Sequence, residues 1–189
     1  MHKLEDLKTG DIGMTHDSGF LPKAIRYFMN IYANKFYGKS ANKYYNHTFI
    51  ILRRKEGIYA IEAAGKGMVG KLIQDRFTED YIKNNILFCR PAKDFDNVEK
   101  SKIRDTIIKL ALKAIRYQFS NFISWIIYIL TKGGINLLRN SKINRAFCFE
   151  LTTYIWNSIR SDFRFNVPTT NTVDLQFDNR FIKFTIDEI

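Results

Sequence analysis

The sequence predicts an α+β protein in which a small antiparallel β-sheet or barrel packs against helices. Apolar residues first recur at helical spacing, several short β-branched runs follow, and amphipathic segments and a final alternating strand come last. The chain has 189 residues, 46% of them apolar, which is enough to bury one core. We therefore expect a single domain over residues 1–189.

In the first half of the chain, turn residues and periodicity separate short elements. They predict a leading segment that closes on a Gly-Asp turn (4–12), a helix (23–32), a polar loop (34–46) and two strands joined as a hairpin (47–53 and 58–63). A third strand (68–73) and a fourth strand that ends at a proline (86–91) follow.

In the second half, apolar residues recur mostly at helical spacing. They predict an amphipathic helix (96–116), an aromatic-rich segment broken at a Gly-Gly pair (119–138), a helix (146–159), a Thr-rich loop (169–172) and a final alternating strand (181–186). This order of helix, strands, helices and a last strand is what indicates the α+β class.

The formal charge of +11, from 30 Lys and Arg against 19 Asp and Glu, favours anionic partners such as phospholipid head groups, acidic wall polymers or nucleic acid. The basic residues are spread along the chain in short pairs such as Arg53-Arg54. This distribution is typical of a solvated basic surface. Since the sequence also carries no RNA-binding signature and no metal-finger spacing, it disfavours a nucleic-acid-binding protein.

Two cysteines, Cys89 and Cys148, cannot form a disulfide framework, which favours a reducing compartment. The first residues, Met-His-Lys-Leu-Glu-Asp, lack the apolar core of a signal peptide. The longest apolar run, Phe122–Leu130, is too short to span a bilayer. We therefore expect a cytoplasmic protein, with export after trimming of a signal left open.

The candidate nucleophile is Cys148. It lies at the start of a predicted helix, where unpaired backbone N–H groups stabilise a thiolate, and the basic residues Lys142 and Arg145 precede it. A small, buried and inert cysteine is the alternative interpretation. Cys89 lies inside a strand-like apolar run, where burial is the expected role.

His47 and Glu62 are the candidate base and its orienting group. His47 opens the first strong strand, and Glu62 interrupts an apolar strand, where a carboxylate is costly unless it has a partner. A direct pairing of the two residues places the midpoint of the turn between Arg54 and Lys55, inside the predicted hairpin loop. An ion pair from Glu62 to a nearby Lys or Arg is the alternative.

Four short motifs, in order along the chain, resemble those of a known group of proteins. They are Lys-Thr-Gly-Asp-Ile (8–12), Ala-Ile-Arg-Tyr-Phe (24–28), the pair Asn-His-Thr and Ile-Glu-Ala (46–48 and 61–63) and Cys-Phe-Glu-Leu (148–151). The set resembles the circularly permuted branch of the NlpC-type papain-like superfamily, the YiiX-like proteins, and spans residues 4–156. The order His, Glu, Cys is what a permuted chain would give, and catalysis depends on geometry rather than on chain order.

The resemblance implies a permuted papain-like (NlpC-type) fold and a cysteine hydrolase that cleaves an ester bond or an amide bond, the latter in a peptide or a cell-wall-type peptide. It implies Cys148 as the nucleophile, His47 as the base and Glu62 as the orienting group, with no metal or organic cofactor. Tyr117, in the nearest match to the family's Tyr-Asp pair, is a candidate for the substrate or oxyanion side. Phe149 stands where the family often has Ser, and a larger side chain there would narrow or close the site.

Two other functions stay open at this point. A lipid-directed acyl hydrolase or acyltransferase at an anionic membrane surface would use the positive charge, with the aromatic stretch 119–130 as an apolar lip, although such stretches are more often core. A non-catalytic papain-like binding module would result if Phe149 closes the site. The expected ligands are accordingly a peptide, a cell-wall fragment or an acyl lipid. Glu150, two residues along the predicted helix, is expected to support the helix start and to point away from Cys148.

Overall fold

The computed structural model describes residues 2–65, 67–117, 120–135, 145–163, 165–167 and 169–189. Its strands are β1 (Ile12–Thr15), β2 (His47–Arg54), β3 (Gly57–Ala64), β4 (Gly67–Leu72), β5 (Ile86–Pro91), β6 (Arg116–Tyr117), β7 (Arg145–Ala146) and β8 (Phe181–Phe184). Its α-helices are α1 (Phe20–Tyr32), α2 (Ile73–Arg76), α3 (Glu79–Asn85), α4 (Asn97–Leu112), α5 (Ser120–Leu130), α6 (Cys148–Ile159) and α7 (Thr172–Phe177).

Within these described ranges, six strands form one open antiparallel sheet in the order β4-β3-β2-β1-β5-β8. The strand β1 is central, because it pairs with β2 on one side and with β5 on the other. A short parallel pair, β6 with β7, forms a separate two-stranded sheet next to β4. The α+β class and the antiparallel sheet packed against helices, both predicted from the sequence, are therefore confirmed.

The two faces of the sheet bury separate apolar clusters, because successive strand side chains point to opposite sides. The first cluster joins the sheet to α4 and α6 and includes Ile12, Ile50, Ile61, Ile107, Leu151 and Trp156. The second joins the sheet to α2 and α3 and includes Phe49, Ile51, Phe88, Ile73 and Ile82. Each such side chain contributes roughly 1.5–3 kcal/mol when fully buried, so both faces hold the strands in place.

A third apolar cluster joins α1, α5 and the start of α6. Ile25 of α1, Trp125 of α5 and Phe149 of α6 are buried together in it. The opposite face of α5 is partly open, since Ile123 is 54% exposed and Leu130 is 53% exposed. The aromatic stretch is thus mainly core, with one apolar face toward solvent. None of the described helices has both the length and the apolarity needed to cross a membrane.

The predicted hairpin is confirmed as β2 and β3, which are joined by the two residues Lys55 and Glu56. The helix predicted over 96–116 is shorter than expected and ends at Leu112. Its end follows from Ala114, whose φ of 48° is left-handed and cannot continue an α-helix. The chain then becomes extended and forms β6.

The sequence pattern does not predict β1 or α7. The strand β1 has only four residues, all buried, so it lacks the alternation that marks a half-exposed strand. The loop predicted over 169–172 is confirmed for 169–171, and α7 begins at Thr172. The Asn171 side chain accepts the backbone N–H of Val173 at 2.8 Å and caps the helix.

Candidate active site

The start of α6 sets the position of Cys148. Phe147 has an extended backbone (φ −83°, ψ 162°), and Cys148 is the first helical residue. The Glu150 carboxylate accepts the backbone N–H of Phe147 at 2.8 Å and the side-chain amide of Asn121 at 2.6 Å. Glu150 therefore supports the helix start, as the sequence predicts.

Two contacts hold the sheet against α6. The hydroxyl oxygens of Thr48 and Thr152 are 3.2 Å apart. The indole N–H of Trp156 donates to the backbone carbonyl of Gly10 at 2.7 Å, which ties α6 to the turn before β1. Since Thr48 directly follows His47 in β2, these contacts bring the histidine to the start of α6.

His47 lies between Cys148 and Glu62. Its Nε2 is 2.6 Å from Oε2 of Glu62, which leaves Nδ1 for the Cys148 thiol, and His47 and Cys148 line the same cleft. Burial disfavours a charge on the ring, but the negative charges and hydrogen bonds of Cys148 and Glu62 outweigh it and raise the pKa of His47 to about 10. The fold thus brings together the three residues that the sequence singles out.

The strand register differs from the predicted one. The pairing of β2 with β3 ends at Ile50↔Ile61, and beyond it residues 47–49 pair with β1 whereas residues 62–64 pair with β4. Extended by one pair, this register places Glu62 opposite Phe49, two residues from His47. The predicted direct pairing is therefore wrong. The two side chains still meet, because a separation of two residues keeps them on the same face of the sheet.

Arg76, the last residue of α2, completes the support of Glu62. Its Nε donates to Oε1 at 2.6 Å, and its Nη2 lies 3.4 Å from Oε2. Burial would raise the pKa of Glu62, but the hydrogen bonds from His47 and Arg76 outweigh it and lower the pKa to about 2. Glu62 therefore contacts both the histidine and an arginine, the two alternative partners that the sequence indicates. Sequence reasoning does not single out Arg76, since only the fold brings α2 beside β3.

A second polar network borders the site and was not predicted from the sequence. Asp17 accepts hydrogen bonds from the hydroxyls of Tyr81 and Thr15 and from the amide of Asn46. Burial opposes the negative charge, yet these donors and the nearby His47 lower the pKa of Asp17 below its usual value. The Asp17 carboxylate therefore adds negative potential that favours a protonated His47.

A cleft of about 180 Å³ opens beside the Cys148 thiol. Its lining includes the polar residues Asp17, Asn46, His47, Glu62 and Arg76 and the apolar residues Leu21, Pro22, Ile25 and Phe147. Leu21 is 41% exposed and its neighbour Phe20 is 89% exposed, so the start of α1 forms an apolar lip at the cleft. A second cavity of about 220 Å³ adjoins the cleft across Asp17 and Arg76.

Phe149 does not line this cleft. Its ring packs edge-on against that of Phe147, with centroids 5.1 Å apart, in the apolar cluster shared with α1 and α5. The expectation that Phe149 narrows or closes the site is therefore wrong. Successive helical residues point about 100° apart around the helix axis, so the residue after Cys148 faces the core.

The other residues considered in the sequence fall outside the cleft or outside the described part of the chain. Cys89 is fully buried in β5, and burial raises the pKa of its thiol to about 12. The backbone of Tyr117 pairs with that of Ala146, two residues before Cys148. The remaining predictions concern positions outside the described residues, namely the side chains of Tyr117 and Arg145 and the whole of Phe119 and Lys142.

Comparison with known proteins identifies the fold. No protein-family model and no curated protein matches the chain. Among solved structures, the chain is similar to the metalloprotein YiiX from Escherichia coli O157:H7, with a TM-score of 0.60 over 96% of this chain and 98% of that chain. The chain has the fold of YiiX. At 13% identity the likeness concerns the fold alone, and at this level the predicted YiiX-like resemblance is confirmed. The wider link to NlpC-type permuted papain-like enzymes stays a prediction.

The site residues do not fit a metal centre, although YiiX is described as a metalloprotein. Across the described residues, no three His, Cys, Asp or Glu side chains are placed to hold one metal ion. Cys148, His47 and Glu62 form a chain with the imidazole in the middle, rather than a ring of ligands around one point. The Arg76 guanidinium on Glu62 adds positive charge that opposes a bound cation.

Proposed function

We propose that this protein is a cysteine hydrolase that cleaves an amide or ester bond, with Cys148 as nucleophile, His47 as base and Glu62 as orienting group. The observation that carries the proposal is the position of His47. Its ring lies between the Cys148 thiol, which raises the pKa of the ring, and an ionised carboxylate 2.6 Å away, at the wall of a cleft that the thiol also lines. A thiol and base joined in this way, with a third group on the base, are the parts that nucleophilic catalysis requires.

In the proposed reaction, the proton of the Cys148 thiol is already on the His47 ring, because the pKa of the ring is about 10. The thiolate of this ion pair attacks the carbonyl carbon of the substrate. Glu62 accepts the Nε2–H and stabilises the imidazolium. The imidazolium then protonates the leaving amine or alcohol, which leaves an acyl-enzyme. His47, now neutral, takes a proton from water, which attacks this thioester. The acid product leaves, and the thiolate is restored beside the protonated ring. The backbone N–H of Cys148 at the helix start supports the oxyanion.

The polar wall of the cleft favours a peptide or cell-wall-type peptide as the first candidate substrate. Asp17 and Arg76 border both the cleft and the adjoining cavity of about 220 Å³. An anionic and a cationic side chain in the same cleft as the thiol complement the amine and carboxylate groups that such peptides carry.

The apolar lip favours a second candidate, an acyl ester or thioester. Phe20 is 89% exposed and Leu21 is 41% exposed beside the cleft, which is unfavourable unless an apolar group covers them for part of the reaction. Esters that differ only in acyl chain length separate the candidates. A rise in kcat/KM with chain length supports the acyl version, and a preference for short or charged acyl groups supports the peptide version.

Alkylation tests the nucleophile. Near neutral pH, iodoacetamide should label Cys148 at least about tenfold faster than Cys89. Both cysteines are buried, but Cys148 lines a cleft beside His47, whereas Cys89 lies within β5 and its thiol has a pKa of about 12. Peptide mass mapping over time gives both rates in one sample. Equal, slow labelling of the two cysteines would contradict the assignment.

Electrophilic amide, ester and thioester probes test the activity. Wild-type protein should form a covalent adduct and turn over at least one probe class, whereas Cys148→Ala should do neither. Cys89→Ala is the matched control and should keep wild-type turnover. If Cys148 reacts with iodoacetamide but no acyl probe is turned over, the protein is a binding module with a reactive thiol, and the hydrolase proposal fails.

A further inference from the structure

Two large cavities lie away from the candidate active site, at the hairpin end of β2. One has a volume of about 660 Å³ and the other about 630 Å³, and both are lined by Arg53 and Arg104. Together they form a groove between the β2–β3 hairpin, the chain start and α4. We call this the hairpin groove.

The hairpin groove carries an excess of positive charge. Its lining includes seven Lys and Arg side chains, namely Lys8, Arg53, Arg54, Lys55, Arg90, Lys100 and Arg104, against the three carboxylates of Glu5, Asp6 and Glu56. Two further carboxylates pair with its cations, Asp94 with Lys8 and Lys100 and Asp11 with Arg90, so the excess is two positive charges. Such a groove attracts anions, and its cations act together because they line one concave surface.

The two shared arginines are held in place by neutral groups rather than by carboxylates. Arg53 Nη1 donates to the backbone carbonyls of Glu5 and Leu7, the latter at 3.2 Å, and Arg104 Nη2 donates to the backbone carbonyl of Arg53 at 3.3 Å. A carbonyl oxygen orients a guanidinium without cancelling its charge. The full positive charge of both arginines therefore stays available to a ligand.

Exposed apolar side chains continue the groove along α4. Ile108 lines it and is 55% exposed, and Leu112, one helical turn further on, is 81% exposed. Arg104, Ile108 and Leu112 are four residues apart and so share one face of the helix. A hydrophilic phosphodiester polymer offers these side chains no apolar environment, whereas a phospholipid bilayer offers both phosphates for the cations and acyl chains for the leucine and isoleucine.

We infer that the hairpin groove and the adjoining face of α4 form a docking surface for a bilayer that contains anionic phospholipids. The cations bind head-group phosphates, and Ile108 and Leu112 enter the interface. His47 and Arg54 are seven residues apart on β2, a separation of about 23 Å at roughly 3.3 Å per residue. Docking at the hairpin end therefore leaves the catalytic cleft open to the aqueous phase, and this inference does not depend on the proposed hydrolase function.

Vesicle co-sedimentation tests the inference. Wild-type protein should bind phosphatidylcholine vesicles that contain phosphatidylglycerol, should not bind pure phosphatidylcholine vesicles, and should be released by salt. The variant Arg54→Gln/Lys55→Gln should lower the partition coefficient about 25-fold, at about fivefold for each cation. Both residues are exposed at the hairpin tip, so the variant should fold.

A matched control separates the groove from the net charge. Lys23→Gln/Lys83→Gln removes two exposed lysines from α1 and α3 and should leave vesicle binding nearly unchanged. An equal loss in this control would overturn the inference, because binding would then reflect the overall charge. The iodoacetamide labelling rate of Cys148 should match the wild type in every variant, which verifies folding independently of lipid.

The apolar contribution is tested with Ile108→Ser/Leu112→Ser. This variant should lose vesicle binding several-fold while keeping its affinity for inorganic polyphosphate, a soluble anionic polymer. Unchanged vesicle binding would overturn the bilayer assignment. So would wild-type protein that ignores anionic vesicles but binds single-stranded RNA in a manner that depends on Arg54 and Lys55, since the groove would then be a nucleic-acid site.

Discussion

At the scale of single residues, Glu62 connects His47 to Arg76 in the candidate site. It is 3% exposed, and its two oxygens are divided between His47 and Arg76. Because Arg76 keeps the carboxylate ionised, Glu62 presents a full negative charge to the Nε2–H of the imidazole. This fixes the ring orientation and leaves Nδ1 for the thiol.

The substitution Glu62→Gln should lower hydrolysis of the preferred probe by about 100-fold. The neutral amide keeps the size of the side chain but carries no negative charge. It therefore cannot stabilise the His47 imidazolium as the carboxylate does. The measurement is kcat/KM against pH, with the melting temperature recorded alongside. Glu56→Gln, at the exposed hairpin tip, is the control and should have no effect. Wild-type kcat/KM in a folded Glu62→Gln protein would remove Glu62 from the mechanism.

At the scale of elements, β1 determines how the sheet and the site are built. It lies between β2 and β5, and its Gly13 pairs with Phe49 on one side and Phe88 on the other. The Phe49 ring lies over Gly13, and a Cβ at this position would be 2.1 Å from the ring atom Cζ. The close approach requires glycine and lets Phe49 fill the second apolar cluster.

The substitution Gly13→Ala should therefore destabilise the protein by about 2–3 kcal/mol, since the buried Phe49 ring has to move. Urea unfolding gives the free energy directly. Gly65→Ala is the matched control, because a Cβ there meets open space, and it should change stability by less than about 0.5 kcal/mol. Equal stability of the two variants would show that the ring is not confined as described.

At the scale of the whole molecule, charged pairs connect elements that are distant in sequence. Arg160, at the end of α6, donates through Nε and Nη2 to both oxygens of Glu99 in the first turn of α4, each at 2.6 Å. The hydrogen bond from Arg160 lowers the pKa of Glu99 to about 2, as the contacts of Glu62 do for its own carboxyl. Both carboxylates therefore link stability to pH.

The urea midpoint should fall as the pH is lowered from about 4 to about 2. A glutamate in the unfolded chain takes up a proton near pH 4.3, whereas Glu62 and Glu99 do so only near pH 2 in the folded protein. Their stabilisation is complete above the unfolded value and is lost as pH falls toward the folded value. Burial raises the pKa of Asp174 to about 6, so its effect on stability has the opposite sign and lowers stability as the pH rises from about 4 to about 6. The loss of stability caused by Glu62 and Glu99 is therefore measured below about pH 4.

The variant Glu99→Gln should show a shallower fall of the urea midpoint over this window, because one of the two linked protons is gone. Glu56→Gln should keep the wild-type slope, since that side chain is exposed at the hairpin tip. Identical slopes in wild type and Glu99→Gln would contradict the linkage between Glu99 and acid stability.

The sequence by itself singled out the residues of the candidate site. A cysteine at a helix start, a histidine at the start of a strand and a carboxylate inside an apolar strand are all local patterns, so Cys148, His47 and Glu62 could be named from their neighbours in the chain. The same local patterns predicted the hairpin, α1, α4 and α6, because periodicity reports which face of an element is buried.

Only the tertiary structure decided how these residues meet. Contacts between distant segments determine three features of the site. They separate β2 from β3 beyond Ile50↔Ile61, bring Arg76 and Asp17 to the cleft, and place Phe149 in the core. No pattern of neighbouring residues encodes such contacts, because they arise when α6 packs across the sheet and α2 returns beside β3. Local sequence patterns therefore identify the residues of the candidate site, whereas the packing of distant segments determines its geometry.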